Sequence, residues 1–368
     1  MNKYKVCVYA IAKNEEKHVE RWVQNMREAD EIYVLLDATS TDSTEELLKK
    51  AGVHVTKKLI EPWRFDEARN ESLNLVPKDA DICVCTDIDE IFSPGWRKVL
   101  EETWTPTTNQ ALYNFWVNSY DESQPKNIFV TRKIHDRHNF YWKWIVHEFI
   151  QPKDRNKKIN TVFLEDVLLH HYPDFTKPRN YDKLLEQAIE LEPDDIYYQQ
   201  LLAEEYLKRN ELAKAEALVE RIFKNPSNMA HPYNRCFNYK LACQVALEKK
   251  DYKKARQLCE DLLYKIDYCK WFYGALGSIL IDEYYEYDLG IENMKKCYQI
   301  DSDVIDAREQ EWNDKAFVAN YISIAHYHLK EYEEALKWVN IAIQKTTNQR
   351  NREVYLENRK LYERSLMY

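Results

Sequence analysis

The chain has 368 residues, 31% of them charged, and a formal net charge of −9. That balance argues against a general polyanion binder, and no apolar run approaches the roughly 20 residues that a membrane-spanning helix needs. Eight cysteines at irregular spacing suit a reducing compartment better than a disulfide framework, and the length allows two domains with cores of their own.

The first residues, Met1-Asn2-Lys3-Tyr4-Lys5-Val6, enter a strand-like pattern with no signal-peptide layout, so a cytoplasmic protein is expected. Val6 to Ile11 is a short apolar run, and after Lys13-Asn14-Glu15-Glu16 a helix continues through Val19, Trp22, Val23 and Met26. Glu31 to Asp37 reads as a second strand, and Ser40-Thr41-Asp42-Ser43-Thr44 as a turn and cap ahead of a helix over Glu45 to Ala51. Val53 to Thr56 is a third strand and Phe65 to Leu75 a helix. The apolar run 81–86 then ends abruptly in Asp87-Ile88-Asp89-Glu90. This rhythm of strand and helix, to about residue 180, predicts an α/β domain with a mostly parallel sheet whose ligand site lies beyond the carboxyl ends of its strands. Cys83 and Cys85 alternate along a strand, which suits buried small hydrophobes rather than a zinc pair. Five glycines in the whole chain imply a helix-rich protein with few tight glycine turns.

From Tyr181 onward the sequence is helix-compatible throughout. Four segments share one local pattern: Leu212-x-x-Ala215, Tyr252-x-x-Ala255, Tyr287-x-x-Gly290 and Tyr332-x-x-Ala335. Apolar residues recur four and seven positions after each small one, as at Val219 and Ile222 or Val339 and Ala342. The pattern resembles tetratricopeptide (TPR) repeats, with spacings of 40, 35 and 45 residues that imply lengthened turns; the alternative is an irregular helical bundle. The expected organisation is an α/β domain over 1–180 and an all-α repeat domain over 181–368.

The acids carry the chemistry. Asp87 and Asp89 lie two apart and point the same way in an extended segment. At a sheet edge they could hold Mg²⁺ or Mn²⁺ against a diphosphate, or form a solvated acidic loop. Asp37 could meet a base or ribose, or simply turn the chain. Arg64 and Arg69-Asn70 could contact a diphosphate or pair with the acids. Between 126 and 158, nine Lys or Arg stand against three Asp or Glu, interleaved with Phe129, Phe140, Tyr141, Trp142 and Trp144. This stretch suits an acceptor platform, part of a donor pocket, or a solvated basic loop over packed rings; single-stranded nucleic acid finds only weak support in so acidic a chain.

Six segments in order, Ala12-Lys13-Asn14-Glu15-Glu16, Asp37 to Thr44, Ala68-Arg69-Asn70, Thr86 to Glu90, Val146-His147-Glu148 and Leu169-His170-His171-Tyr172, resemble family-2-type glycosyltransferases with the A-type nucleotide-sugar fold. The nearer likeness is to lipopolysaccharide-core glucosyltransferases and bacteriocin S-glycosyltransferases, over roughly residues 4–185. Asp37-Ala38-Thr39-Ser40 departs from the family's usual Asp-x-Gly/Ser-Ser. The resemblance implies that Ala10, Ala12, Asn14 and Glu15 line a nucleotide pocket, that Asp37 meets the base or ribose, and that Arg69 lies near the diphosphate. It further implies that Asp87 and Asp89 serve the metal, joined by His170 or His171. An inverting transfer from a nucleoside diphosphate sugar, a UDP-sugar first, needs one base. Glu148, after the strand-like Trp144-Ile145-Val146, is the first candidate, and Glu165-Asp166, ahead of Val167 to Leu169, the second. The acceptor (peptide or protein, glycan, lipid-linked sugar or modified DNA) stays open. The repeats would bind it or join two subunits as a homodimer. The rival expectation is a repeat-based interaction protein with an inactive transferase domain. A nucleotidyltransferase is disfavoured because Tyr9 to Asn14 contains no glycine.

Overall fold

The structure is a computed structural model and describes residues 3–117, 128–174, 181–301 and 310–367. It divides into two compact units, Met1–Ala188 and Ile189–Tyr368.

The first unit opens with β1 (Val6–Ala12), α1 (Glu16–Met26), β2 (Glu31–Asp37), α2 (Thr44–Lys50), β3 (His54–Lys58), α3 (Phe65–Leu75) and β4 (Ile82–Cys85). These strands pair in parallel in the order β3-β2-β1-β4, as their alternation with helices predicts. There follow β5 (Glu90–Phe92), α4 (Trp96–Thr103), β6 (Gln110–Trp116), β7 (Ile128–Asp136), β8 (Phe140–Lys143), β9 (Phe149–Pro152) and β10 (Thr161–His171). The sheet runs on as β4-β7-β6-β10-β5, with β7 antiparallel to both neighbours and β5 antiparallel to β10, so its second half is mixed rather than parallel. β8 and β9 form a separate hairpin. Trp144 to Val146, strand-like in sequence, is instead the link between them. Trp144 and His147 adopt φ of 77° and 53°, a backbone that cannot continue a ladder.

The period-2 alternation of β1 sorts two cores. Val6, Val8 and Ala10 pack with Trp22 and Met26 on one face, while Cys7 and Tyr9 join Cys83, Cys85, Phe140 and Trp142 on the other. Cys83 and Cys85 are thus buried small hydrophobes. A complete relay ties the second face. Trp142 Nε1 donates to Tyr9 Oη (2.8 Å), Tyr9 Oη donates to His135 Nε2 (2.7 Å), and His135 Nδ1 donates to the Asp136 carbonyl (2.7 Å). Burial holds His135 down at about 4. The folded state therefore keeps it neutral while the unfolded chain takes up a proton below about pH 6.5. The contribution of His135 to stability is fully present above that value and falls by about 3 kcal/mol as the pH drops towards 4. Chemical unfolding at pH 7 and 4.5 should show this loss, and His135→Gln should flatten it; an equal slope in the variant would reject the assignment.

Helix α5 (Tyr181–Leu191) spans the unit boundary. The second unit continues with α6 (Ile196–Lys208), α7 (Leu212–Lys224), α8 (Pro232–Glu248), α9 (Tyr252–Leu263), α10 (Lys270–Asp282), α11 (Tyr287–Gln299), α12 (Gln310–Asn313), α13 (Lys315–His328), α14 (Tyr332–Lys345) and α15 (Gln349–Leu366). Four packed helical hairpins result, α6–α7, α8–α9, α10–α11 and α13–α14, so the unit is an all-α repeat. Ala215, Ala255 and Ala335 are fully buried. At Gly290 a Cβ would lie 2.4 Å from Ile281 Cγ1, which explains the small residue there.

Scarce glycine does not mean loose turns. Asn210, Lys250, Tyr285 and Lys330, each two residues before the second helix of a hairpin, take φ of 58°, 58°, 56° and 63°. The next residue's N–H reaches back over the turn, from Glu211 to Tyr206 O, Asp251 to Ala246 O and Glu331 to His326 O (2.8–2.9 Å), a Schellman-type closure, while Glu286 reaches one residue further, to Leu280 O (2.9 Å). Because a side chain is strained in this conformation, Lys250→Gly and Lys330→Gly should each stabilise the unit by roughly 0.5–1 kcal/mol. A lowered melting temperature in both would contradict this reading of the turns.

Candidate active site

β1 connects to β2 on one side, while β4 pairs on its other side, so the carboxyl ends of β1 and β4 part at a topological switch point. A cavity of about 420 Å³ opens there. Ala12, Lys13 and Glu15 approach from the end of β1, and Asp87, Ile88, Asp89 and Glu90 from the turn after β4. Trp63, Phe65 and Arg69 come from the start of α3 and the loop before it. Val146, His147 and Glu148 come from the β8–β9 link, His171 from the end of β10, and Asp174 and Tyr181 follow.

The charges form one connected cluster. Buried Arg69 donates through Nη2 to Asp87 Oδ1, through Nε to Glu148 Oε1 (3.0 Å) and through Nη1 to Cys85 Sγ (3.6 Å). Lys133, on β7, donates to Asp87 Oδ2 (3.4 Å) and Glu90 Oε1 (3.1 Å), and the Asp87 N–H donates to Glu90 Oε2 (2.9 Å). Burial works against the ionised form of Asp87, yet the Arg69 and Lys133 charges outweigh it and hold the carboxyl well below its usual range. Glu90 goes the other way: burial, with Asp87 and Asp89 nearby, raises it despite Lys133. Lys133 is itself raised, since Asp87 and Glu90 more than offset the cost of burying its ammonium.

Beside this cluster, His171 Nε2 stands 3.2 Å from Asp89 Oδ2. Its Nδ1 donates to the Val117 carbonyl (2.7 Å), which fixes the tautomer. Burial would lower this imidazole, but the Asp89 hydrogen bond and charge raise it. Among the described residues no group of three or more His, Cys, Asp or Glu is arranged to hold an ion. The protein thus offers two donors here, a carboxylate and an imidazole.

Of the residues expected in the site, Ala12, Glu15, Arg69, Asp87, Asp89, Glu148 and His171 line this one cavity. Ala10 is wholly buried in the core. Asn14 instead braces the neighbouring loop, its Oδ1 accepting from Thr41 N (2.8 Å) and Ser40 Oγ (3.1 Å). Asp37 is buried and accepts from the Thr39 N–H (2.8 Å) and from Lys13 Nζ (3.0 Å). Burial raises its carboxyl, but these partners prevail and lower it. Arg64 makes a two-pronged pair with Asp66. His170 packs its ring against Trp116 and Tyr172. Glu165 and Asp166 are exposed where the β10 register slips between Leu164 and Leu168. Ala10, Asn14, Asp37, Arg64, His170 and Asp166 therefore lie outside the cavity lining. Of the basic stretch 126–158, residues 126 and 127 lie outside the described residues.

Sequence reasoning assigns no role to Lys133, Glu90, Lys13, Trp63 or Phe65. Glu90 is in view as the third acid after β4. Lys133 is hidden in the basic stretch, 46 residues from Asp87.

Residues 7–155, most of the N-terminal unit, match the family described as Glycosyl transferase family 2. No curated protein matches the chain. Among solved structures, the chain is similar to MamA, at 14% identity over 45% of this chain and 85% of that one, with a TM-score of 0.36. It is also similar to a thermophilic TPR protein in Thermus thermophilus, at 14% identity over 51% and 89%, TM-score 0.34. A third is YrrB, a TPR protein with an unusual peptide-binding site, at 18% identity over 50% and 88%, TM-score 0.37. No helix among the described residues is long and apolar enough to cross a membrane.

Proposed function

We propose that the N-terminal unit transfers a glycosyl group, with inversion, from a nucleoside diphosphate sugar (a UDP-sugar first) to an acceptor, using Mn²⁺ or Mg²⁺ held by Asp89 and His171. The observation that carries this is the locked Asp89–His171 pair. With Nδ1–H committed to the Val117 carbonyl, the Nε2 lone pair faces a carboxylate 3.2 Å away. Two acceptors in that position need a cation between them, a proton or a metal ion, and both atoms suit Mn²⁺. When bound, the ion supplies neutralisation of the charge that grows on the departing diphosphate.

The chain's own residues divide the remaining work. Asp87 has both oxygens engaged by Arg69 and Lys133, so in this reading it braces the corner and leaves coordination to Asp89 and His171. Arg69 is spent on Asp87, Glu148 and Cys85, and Lys13, beside Asp37, becomes the cation that meets the nucleotide side. Glu148 is held by Arg69 through Oε1 alone. Its Oε2 is the acceptor for the proton of the attacking hydroxyl or thiol as that atom approaches the anomeric carbon. Trp63 and Phe65 supply ring faces on which a sugar or base can stack. The acceptor is a peptide, protein or glycan, which the helical repeats would bind unless they join two copies of the chain. The nearer likeness to lipopolysaccharide-core glucosyltransferases and bacteriocin S-glycosyltransferases rests on the six ordered segments.

A panel of nucleoside diphosphate sugars, scored for Mn²⁺-dependent hydrolysis and thermal stabilisation, tests the reading. One donor should stabilise the protein by about 2–3 kcal/mol at a hundredfold excess over its dissociation constant. If Mn²⁺ and every donor leave the protein unmoved, the chain is better read as a repeat-based interaction protein with an inactive transferase domain.

A further inference from the structure

β7 runs antiparallel to β4, and the two pair only through Ile134, His135 and Asp136. β4 ends at Cys85, so Ile128 to Arg132 overshoot it by about 16 Å, at roughly 3.3 Å per residue. They stand at the carboxyl edge of the sheet, where the cavity opens. β6 covers one side of this stretch; on the other, no strand pairs with it among the described residues. Over Ile128–Thr131, before the register of β7 against β6 slips between Thr131 and Ile134, such an edge carries unpaired backbone donors and acceptors in alternation.

Three side chains at the start of the edge are apolar and open to solvent, Ile128 at 42%, Phe129 at 49% and Val130 at 51%; Thr131 is half-buried, and Arg132 lies over the Phe149 ring, 4.1 Å from its centroid. The apolar three are also continuous with the site. The Phe129 ring lies 4.9 Å from that of Phe115, and the Phe115 ring 5.6 Å from His171. An apolar surface thus runs from the open edge to the imidazole beside Asp89.

We infer that Ile128–Arg132 is the acceptor-docking edge of the transferase and binds an extended peptide with apolar side chains by strand addition; this rests on the reading proposed above. Only a peptide offers backbone N–H and C=O groups at the spacing that this edge needs. A glycan would meet three apolar side chains where it requires hydrogen bonds, and a lipid surface leaves the backbone groups unpaired. The edge confers affinity through the main chain, and Ile128, Phe129 and Val130 select for apolar residues.

The test uses the full-length protein and a library of unstructured fluorescent peptides with apolar residues at alternate positions, each also made with N-methyl groups on one or the other alternating set of amides. Peptides should bind, and methylation of one set only should weaken binding roughly tenfold or more. Phe129→Asp and Val130→Lys should each do the same while Mn²⁺-dependent UDP binding persists and the melting temperature holds. The inference is overturned if no peptide binds, if the two methylation sets act equally, or if both variants bind as well as the parent. It is equally overturned if the variants lose affinity only for phosphatidylglycerol vesicles, which would make the patch a lipid surface. Binding of the nucleoside diphosphate sugar panel in the same samples separates the two readings: peptide binding without binding of any donor removes the transferase, and donor binding without any peptide removes the docking edge.

Discussion

Lys133→Met is expected to destabilise the N-terminal unit by roughly 3–5 kcal/mol, the cost of leaving a buried charge without its partner. Lys133 lies between Asp87 and Glu90, and Glu90 is almost wholly buried. Without the ammonium, Glu90 escapes only by taking up a proton, a direction in which burial and the neighbouring acids already push it. A carboxyl whose folded value lies above its unfolded one contributes stability at low pH and loses it as the pH rises. The variant should therefore lose most at pH 8 and least near pH 5. Adding Glu90→Gln should restore most of the loss, because the double variant buries no unmatched acid at that position. Urea unfolding of the four proteins forms a double-mutant cycle; effects that add within about 0.5 kcal/mol would show that the two groups are not coupled.

The second large effect belongs to Asp89 and His171. Asp89→Ala or His171→Ala should lower Mn²⁺-dependent donor cleavage by roughly 100–1,000-fold, equivalent to about 3–4 kcal/mol of transition-state stabilisation. Both side chains are about four-fifths buried at the cavity wall and lie outside the main core, so the fold should persist. Because Asp89 raises His171, a proton competes with the ion, and Mn²⁺ affinity should climb with pH as that proton leaves. In Asp89→Ala the raising influence is gone, so whatever affinity remains should reach its plateau at lower pH. Manganese titrations across pH decide the matter: an affinity and profile unchanged by Asp89→Ala would remove these residues from any metal site.

The parts legible in sequence are those governed by short range. β2 and α3 fall where the sequence places them, and Asp87 and Asp89 announce themselves because an apolar strand ends in acids. His170 and His171 read alike in sequence; that His171 is the one lining the cavity depends on the sheet and on the Val117 carbonyl, 54 residues away, that holds its ring. Lys133 escapes notice for a similar reason, since a lysine on a half-exposed strand looks like solvated charge until β7 is laid beside β4. The second half of the sheet depends on such pairings. β7 is mostly exposed at its start and buried at its end, so it lacks the uniform period that betrays a strand. Trp144 to Val146 mislead in the opposite sense, because β-prone side chains sit on a backbone that two positive φ angles bend away from extension.

The helical unit separates what is fixed from what is free. From the left-handed residue to the buried small residue the interval is five in every hairpin: Asn210 to Ala215, Lys250 to Ala255, Tyr285 to Gly290 and Lys330 to Ala335. Yet the repeats themselves are 40, 35 and 45 residues apart, so the variation falls outside that interval. The interval acts as a ratchet tooth. A residue inserted within it would rotate the second helix by about 100° and turn its small residue away from its partner. Lengthening the chain between one hairpin and the next leaves each tooth engaged, so those junctions are where foreign segments can be grafted into this protein.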